Sequence, residues 1–392
     1  MSLNHLCSVC QSHDTTELYS LSQVPTQDGR LSETLKEAKS SPIGNIDLVY
    51  CYSCGYVENV SYDRGKTNFD SYDFSVFHSP SFASYLDRIV SRLVKKHHIY
   101  NKTILEVGSG DGYFLKSLCL LGDNDGIGID PGFELKAEKH STFSVNFIRE
   151  YYSEKHQDLR PDFLFCRHVL NAVPDPIGFL KTIRKNLKNT PDCVLYFEVP
   201  NAHYTFGEKV VWNVVYEHKS WFAPASLVHI FEHCGFEVLD VVPCWKDEFL
   251  AIEVRLAQAA FKVDAVFKKD LVLFSNEVQS FQNSVEKITE ENRKRVATIG
   301  TKSVKVVMWG AGARGLAFLN MYPVDKTIQY VVDINPLRHG KFMPGSGHTV
   351  ISPEELSAIK PDLIIINNPT YELEIKNHAS RLGLHAEFWV LN

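Results

Sequence analysis

Apolar residues recur at helical spacing over Leu86, Ile89, Val90, Leu93 and Val94, which predicts a helix over residues 84–97. The pattern then shortens. Residues 103–107 form a compact apolar run ending in a glycine-rich turn, a helical pattern starts at Tyr113, and a second run covers 126–130; together they make a βαβ unit. Runs at 145–148, 162–166 and 193–198, with a helical segment over 177–187, extend it into a largely parallel sheet. Residues 235–242 and 248–255 lie too close together for a crossover helix and pair as a hairpin closing that sheet. Residues 256–299 lack proline and are polar overall. With apolar positions such as Val266, Phe267, Leu271, Phe274, Val278 and Phe281, they read as a long linking helix with room for one break. A second βαβ unit begins at 304–309, passes another glycine turn and reaches 330–333, and strands follow at 362–366 and 387–390. The first 60 residues show few long periodic segments. The expected architecture is α/β: a small amino-terminal domain (1–60), a doubly wound domain with a helical lead-in (61–255), a linking helix (256–300) and a second α/β domain (301–392).

Composition narrows the function classes. At 392 residues, 44% hydrophobic and 22% charged, the chain is an ordinary globular protein, and no run approaches the roughly 18 apolar residues of a membrane span. A formal net charge of −6 with dispersed lysines gives no general attraction for nucleic acid or anionic lipid. The amino terminus lacks a basic segment followed by an apolar stretch, so a cytoplasmic protein is expected. There, nine cysteines serve as thiols or metal ligands rather than disulfides.

Two C-x-x-C pairs, Cys7 with Cys10 and Cys51 with Cys54, can present four thiolates to one tetrahedral ion. A structural Zn²⁺ is expected, since a closed set of four ligands leaves no open position for chemistry; reduced core cysteines are the alternative. Glu106, Gly108, Gly110 and Gly112 lie where a strand gives way to a helix, and backbone without side chains lets a ligand approach closely there. Asp130 ends the next strand, where a carboxylate can accept from both ribose hydroxyls, and Glu150 follows the third, near an expected adenine. The set predicts a site for an adenosine-bearing cofactor rather than a turn that merely packs helix on strand. Gly310, Gly312 and Gly315 spell G-x-G-x-x-G after a strand, with Asp333 closing the next, so the motif alone predicts an NAD site and an oxidoreductase. Arg314 can instead meet a phosphate of another anionic ligand, such as a nucleotide-linked sugar, and a fold without ligand is the third option. His218 is the first candidate base, with Glu217 beside it to orient the imidazole. His168, at the end of the fourth strand, either binds substrate or caps the strand.

The cysteine pairs, the turn from Glu106 to Gly112, the triplet Tyr216, Glu217, His218 and the turn from Gly310 to Gly315 together resemble the three-part sugar C-methyltransferases. Residues 197–201, 331–336 and 344–347 look like signatures of the same family, so the resemblance covers essentially the whole chain. It implies an S-adenosylmethionine-dependent methyltransferase of class I fold between a zinc-binding domain and a Rossmann-like domain. The flanking domains help to hold a nucleotide-linked deoxy-keto sugar, so the Gly310 turn need not bind NAD. The implied chemistry is proton removal beside a ketone, giving an enolate whose carbon attacks the sulfonium methyl, with a His following Glu as base; Glu217 and His218 match it. Tyr72, His168, Glu217 and His218 are then expected to face the acceptor, and Tyr216, Asn201, Gly312 and Arg314 to contact it. The chain departs from the family at Ala172, where a second active-site His is expected, at Val215 in place of a Tyr, and at Phe74 in place of a polar aromatic residue. Methyl transfer to oxygen or nitrogen, which needs a base but no enolate stabiliser, and a cofactor-binding scaffold without catalysis stay open as alternatives.

Overall fold

The computed structural model describes residues 5–72, 78–133, 135–258, 265–322, 324 and 327–391; Phe74, residues 259–264 and the Val266 side chain lie outside that description. The amino-terminal segment is more regular than its sequence suggests. Strand β1 (Thr15–Pro25) runs antiparallel to β2 (Ile43–Cys51), with helix α1 (Leu35–Lys39) between them, and β3 (Val57–Asn59) pairs with β2. Register shifts between Glu17 and Tyr19 and between Leu21 and Val24 interrupt the two-residue alternation, which is why β1 leaves no clean periodic signal.

Helix α2 (Pro80–His97) starts one turn earlier than expected, because the Ser79 hydroxyl caps the Phe82 amide and Pro80 is preset for the first helical position. It leads into β4 (Thr103–Val107), α3 (Tyr113–Gly122), β5 (Asp125–Ile129), β6 (Glu138–Lys139), β7 (Ser144–Ile148), β8 (Phe163–Arg167), α4 (Pro176–Asn186) and β9 (Val194–Pro200). The two-residue strand β10 (Ser220–Trp221) then pairs back onto β3 and completes the amino-terminal sheet, so residues 1–60 do not close that sheet alone. Helix α5 (Pro224–His233) and the antiparallel hairpin β11 (Phe236–Cys244) and β12 (Phe249–Leu256) follow. The eight-stranded central sheet has the order β11-β12-β9-β8-β4-β5-β7-β6. With β6 set aside as an added edge strand, this is the class I methyltransferase order, parallel but for the hairpin strand β12, and it reverses direction between β4 and β8. Ligands bind at such a switch point, beyond the carboxyl ends of the strands.

Since Leu256 still belongs to β12, the linking helix is shorter than the expected 256–300: α6 (Ala265–Gly300) is continuous and buries Phe274, Val278, Phe281, Val285 and Val296. Beyond it, β13 (Val306–Trp309), α7 (Ala313–Met321), β14 (Ile328–Val332), β15 (Val350–Ile351), α8 (Leu356–Ile359), β16 (Leu363–Ile366), α9 (Glu372–Arg381) and β17 (Glu387–Val390) form a parallel sheet in the order β15-β14-β13-β16-β17. One core joins Tyr50, Trp212, Phe274 and Met308, so the amino-terminal sheet, the segment after β9, α6 and the last sheet pack as a unit. Among the described residues, no helix is long and apolar enough to cross a membrane.

A buried carboxylate ties α2 to the central sheet. Glu253 of β12 receives Arg92 at 2.7 Å, Lys96 at 2.8 Å and His97 at 2.6 Å. Burial alone would raise its pKa, but these three partners outweigh burial and bring it down to about 2. The stabilisation is therefore present above the ordinary carboxylate pKa and is lost as pH falls through that value towards 2. Glu253→Gln is expected to lower stability near neutral pH by about 2 kcal/mol and to flatten the acid limb of a Tm-against-pH curve. An unchanged acid limb would show that the cluster contributes nothing.

Candidate active site

The turn after β4 is built from left-handed glycines: Gly108, Gly110 and Gly112 have φ of 76°, 53° and 78°. A Cβ on Gly108 would lie 2.2 Å from Val169, and one on Gly112 2.8 Å from Phe147, so each position also requires glycine for packing. The Gly108 amide donates to the Ile129 carbonyl at 2.8 Å, which holds the turn against the end of β5. There Asp130 accepts from the Gly110 amide at 2.9 Å, the Gly132 amide at 2.7 Å and the Tyr72 hydroxyl at 2.8 Å. Glu106, the last but one residue of β4, is buried beneath this turn; desolvation pushes its pKa up to about 8 in spite of nearby Arg167.

A cavity of about 760 Å³ extends from this turn along the carboxyl edges of both α/β sheets. Glu106, Gly108, Gly110, Asp130, Glu150, Tyr72, His168, Glu217, His218, Gly312 and Arg314 all line it, and so does Ala172. Three of the expected site residues do not. Gly112 sits behind the turn as the residue capping α3. The Tyr216 ring is buried against β2 and stacked on Tyr62, and its hydroxyl accepts from the Asp63 amide at 3.0 Å. Asn201 is buried, its amide nitrogen donating to the Asp247 carbonyl and its oxygen accepting from the His203 amide, so both ends are used within the fold.

Two further expectations change. Tyr72 is bonded to Asp130, which places it at the glycine-turn end of the cavity. Glu217 does not orient His218: its Oε1 accepts from the Asp28 and Gly29 amides at 3.0 and 3.2 Å, and no hydrogen bond joins it to His218 among the described residues. Burial raises the pKa of both Glu217 and Asp28, so this close carboxyl pair favours protonation. The His218 Nδ1 is buried without a partner, and desolvation lowers its pKa to about 3. Glu150 keeps a partly open carboxylate paired with Lys155 at 2.5 Å and His156 at 3.4 Å.

In the last sheet, Gly310 and Gly315 are needed where they stand, since a Cβ would strike Asn367 or the Gly310 carbonyl, whereas Gly312 faces open space. Asp333 is occupied by the fold: it accepts from the Ala311 amide at 2.9 Å and the Asn335 amide at 2.8 Å, and Arg338 lies at 3.3 Å. Arg314 pairs with Glu248 at 3.2 Å and donates to Asn213 at 3.1 Å, while its Nη1 is buried without a partner.

The sequence reading missed Asp28 and Glu198. Asp28 carries no signal, because only the fold brings it to Glu217. Glu198 does carry one: a lone acid inside the apolar strand β9 must be partnered if buried, and it is fully buried.

Away from the cavity, the four cysteines converge. Register places Thr15 opposite Cys51, so the β1–β2 hairpin brings two knuckles 40 residues apart in sequence to one end of the sheet. All four Sγ atoms lie within 4.8 Å of one another, with Cys7 to Cys54 at 3.8 Å and Cys10 to Cys51 at 3.5 Å. Tetrahedral zinc with bonds of about 2.3 Å sets sulfurs about 3.8 Å apart, so the set has the dimensions such an ion needs.

Comparison with known proteins agrees with this geometry. Residues 80–241 match the family model of a methyltransferase domain, and residues 262–390 match that of the C-methyltransferase C-terminal domain. The C-methyltransferase NovU of Streptomyces niveus is 22% identical in an alignment covering 94% of this chain and 90% of that protein. A ubiquinone biosynthesis O-methyltransferase of Hydrogenovibrio crunogenus is 30% identical over 35% of this chain and 63% of its own length. A putative S-adenosylmethionine-dependent methyltransferase structure from Listeria monocytogenes aligns with 45% of this chain and all of its own at 14% identity and a TM-score of 0.35. The glycine turn and strand order of the central sheet, with its match to a methyltransferase domain and the match of the last domain to that of C-methyltransferases, identify the chain as an S-adenosylmethionine-dependent methyltransferase.

Proposed function

We propose that the protein methylates the carbon beside the ketone of a nucleotide-linked deoxy-keto sugar, and that a zinc ion at Cys7, Cys10, Cys51 and Cys54 is purely structural. One observation carries the substrate reading: a single cavity joins the glycine turn of β4 to the Gly312 and Arg314 turn of the last sheet, with His168 and His218 lining it. The partnerless Nη1 of Arg314 suits a phosphate oxygen, which a nucleotide-linked sugar supplies. Similarity to the C-methyltransferase NovU supports carbon as the methylated atom.

The cofactor fits the residues present. Gly108 and Gly110 offer bare backbone, Asp130 stands at the ribose position, and Glu106 Oε2 and Ser109 Oγ are buried without partners. We place it across Glu106, Gly108, Gly110, Asp130 and Glu150. When bound, S-adenosylmethionine supplies an electrophilic methyl carbon on a sulfonium. The chain's own part is to seat the acceptor in an in-line pose, keep water out and accept a proton. The NAD reading is weaker, since residues 262–390, which hold the Gly310 turn, match a C-methyltransferase C-terminal domain.

Incubation with S-adenosylmethionine and a thymidine-diphosphate-linked keto-deoxyhexose is expected to give a product one methyl heavier, bonded to carbon by NMR. A methyl on oxygen moves the reading to O-methylation. No incorporation, together with tight NADH binding, overturns it.

A further inference from the structure

The two imidazoles of the cavity are held in different ways. Nε2 of His168 lies 2.9 Å from Oε1 of Glu198, and Glu198 is fully buried, accepting also from Arg167 at 2.8 Å, Tyr85 at 2.7 Å and Tyr196 at 2.9 Å, with the Cys244 thiol at 3.8 Å. Burial alone would raise the Glu198 pKa, but the Arg167 charge and the His168 contact hold it well below the usual carboxylate range. An ionised carboxylate only accepts, so the proton of a neutral His168 sits on Nε2 and Nδ1 is bare. That ring lines the cavity with 33% of its side chain open. Its backbone is fixed in the left-handed region at φ 56°, where the amide donates to the Glu198 carbonyl at 2.7 Å, and the ring stands edge-on to Phe249 at 4.5 Å. A non-glycine residue held there at the edge of a cavity is the kind of strain that marks functional positions. His218 has no such support: Nδ1 is partnerless and its neighbouring Glu217 is turned to the Asp28 loop.

We infer that His168 is the base that removes the proton beside the ketone, that Glu198 is its positioning residue, and that His218 is a hydrogen-bond donor to the carbonyl oxygen. The inference rests on the enolate reading above. The Nδ1 lone pair forms an N–H bond, the C–H pair becomes the carbon–carbon π bond of the enolate, and the carbonyl π pair moves to oxygen. The pair of the carbon–carbon π bond then forms the bond to the methyl carbon while the methyl–sulfur bond breaks and its pair leaves on the thioether of S-adenosylhomocysteine; the oxygen pair restores the carbonyl, and the proton leaves His168 for solvent. His218, whose pKa burial depresses, stays neutral while it donates, which matches a polariser better than a proton acceptor.

Washing of deuterium into the position beside the ketone of the thymidine-diphosphate-linked keto-deoxyhexose, with S-adenosylhomocysteine in place of the methyl donor, reads the proton step alone. The wild type is expected to exchange. His168→Asn, which tolerates a left-handed backbone but has no basic ring nitrogen, is expected to slow exchange about 100-fold or more. Nitrogen NMR is expected to show His168 as the Nε2–H tautomer, and Glu198→Gln to move it towards Nδ1–H. Because Glu198→Gln strips Arg167 of its buried counter-charge, the wild-type tautomer is the independent readout: an Nδ1–H tautomer there overturns the positioning role. Exchange by His168→Asn within about threefold of wild type overturns the base assignment and leaves the enolate reading intact. Absence of exchange in the wild type overturns both.

Discussion

Cys54→Ala is expected to abolish binding of the proposed zinc ion and to lower Tm by 10 °C or so, with more than half of the amino-terminal sheet's amide protection lost. The size follows from where the cysteines sit. Cys7, Cys51 and Cys54 are buried, and they belong to the same apolar cluster as Tyr56, Phe222, Leu227 and Phe231, which continues into the central sheet beneath β9 and β12. These cysteines are therefore part of the wall between two sheets. The segment before β1 holds its turn by two backbone bonds, from the Gln11 amide to the Cys7 carbonyl and from the Cys7 amide to the Ser12 carbonyl, and the turn after β2 by the matching pair, Gly55 to Cys51 and Cys51 to Tyr56. Removing one thiolate leaves three charged sulfurs with no common partner inside that wall, which drives their protonation and loosens both turns. Structural zinc sites contribute roughly 10 kcal/mol of apparent binding energy in small domains, and even half of that is large against the stability of a typical fold. Elemental analysis and calorimetry of wild type and variant check it. Fully reduced, folded wild-type protein without metal would remove the zinc proposal, and a variant with wild-type Tm would remove the structural role.

What the sequence disclosed is the regular part of the central and last sheets, where each strand is a short apolar run bounded by glycine or polar residues. The turn from Glu106 to Gly112 and Asp130 were legible because the parallel sheet puts the ends of β4 and β5 side by side, with Val107 opposite Ile129. The hairpin β11–β12 was legible from the short gap between two runs. The amino-terminal sheet was hidden by the bulges of β1 and by its fourth strand, Ser220–Trp221, which is too short to leave a pattern and is separated from β3 by six of the eight strands of the central sheet. Tyr216 and Asn201 were misplaced for a related reason. They lie in irregular backbone beside Glu217 and β9, where neither a two-residue nor a 3.6-residue period says which side chain turns to the cavity. Tyr216 turned to the β2 core instead, and Asn201 to the backbone of Asp247 and His203. Contacts such as Glu217 with the Asp28 loop, 189 residues apart, are set by packing alone.

Asp130→Ala is expected to weaken S-adenosylmethionine binding by about two orders of magnitude, near 3 kcal/mol, as charged hydrogen bonds of about 1.5 kcal/mol each are lost. The carboxylate has two tasks in this structure. It pins the glycine turn, through the Gly110 amide, and the loop after β5, through the Gly132 amide, and it is buried with its pKa raised by desolvation against those donors. It also accepts from Tyr72, the donor that a ribose hydroxyl can displace without disturbing either backbone bond. A carboxylate has about four acceptor positions, so with two held by amides two remain for the ribose once Tyr72 moves aside. This ranks the variants. Asp130→Asn, which keeps one acceptor oxygen, should fall between wild type and alanine, and Tyr72→Phe should bind within a few-fold of wild type because it removes a competitor rather than a partner. Calorimetric titration measures all three. Asp130→Ala binding the cofactor as tightly as wild type would move the ribose away from β5. Tyr72→Phe losing affinity as severely as Asp130→Ala would instead make the Tyr72 hydroxyl itself part of the cofactor's grip, and the Asp130 contact its means of orientation.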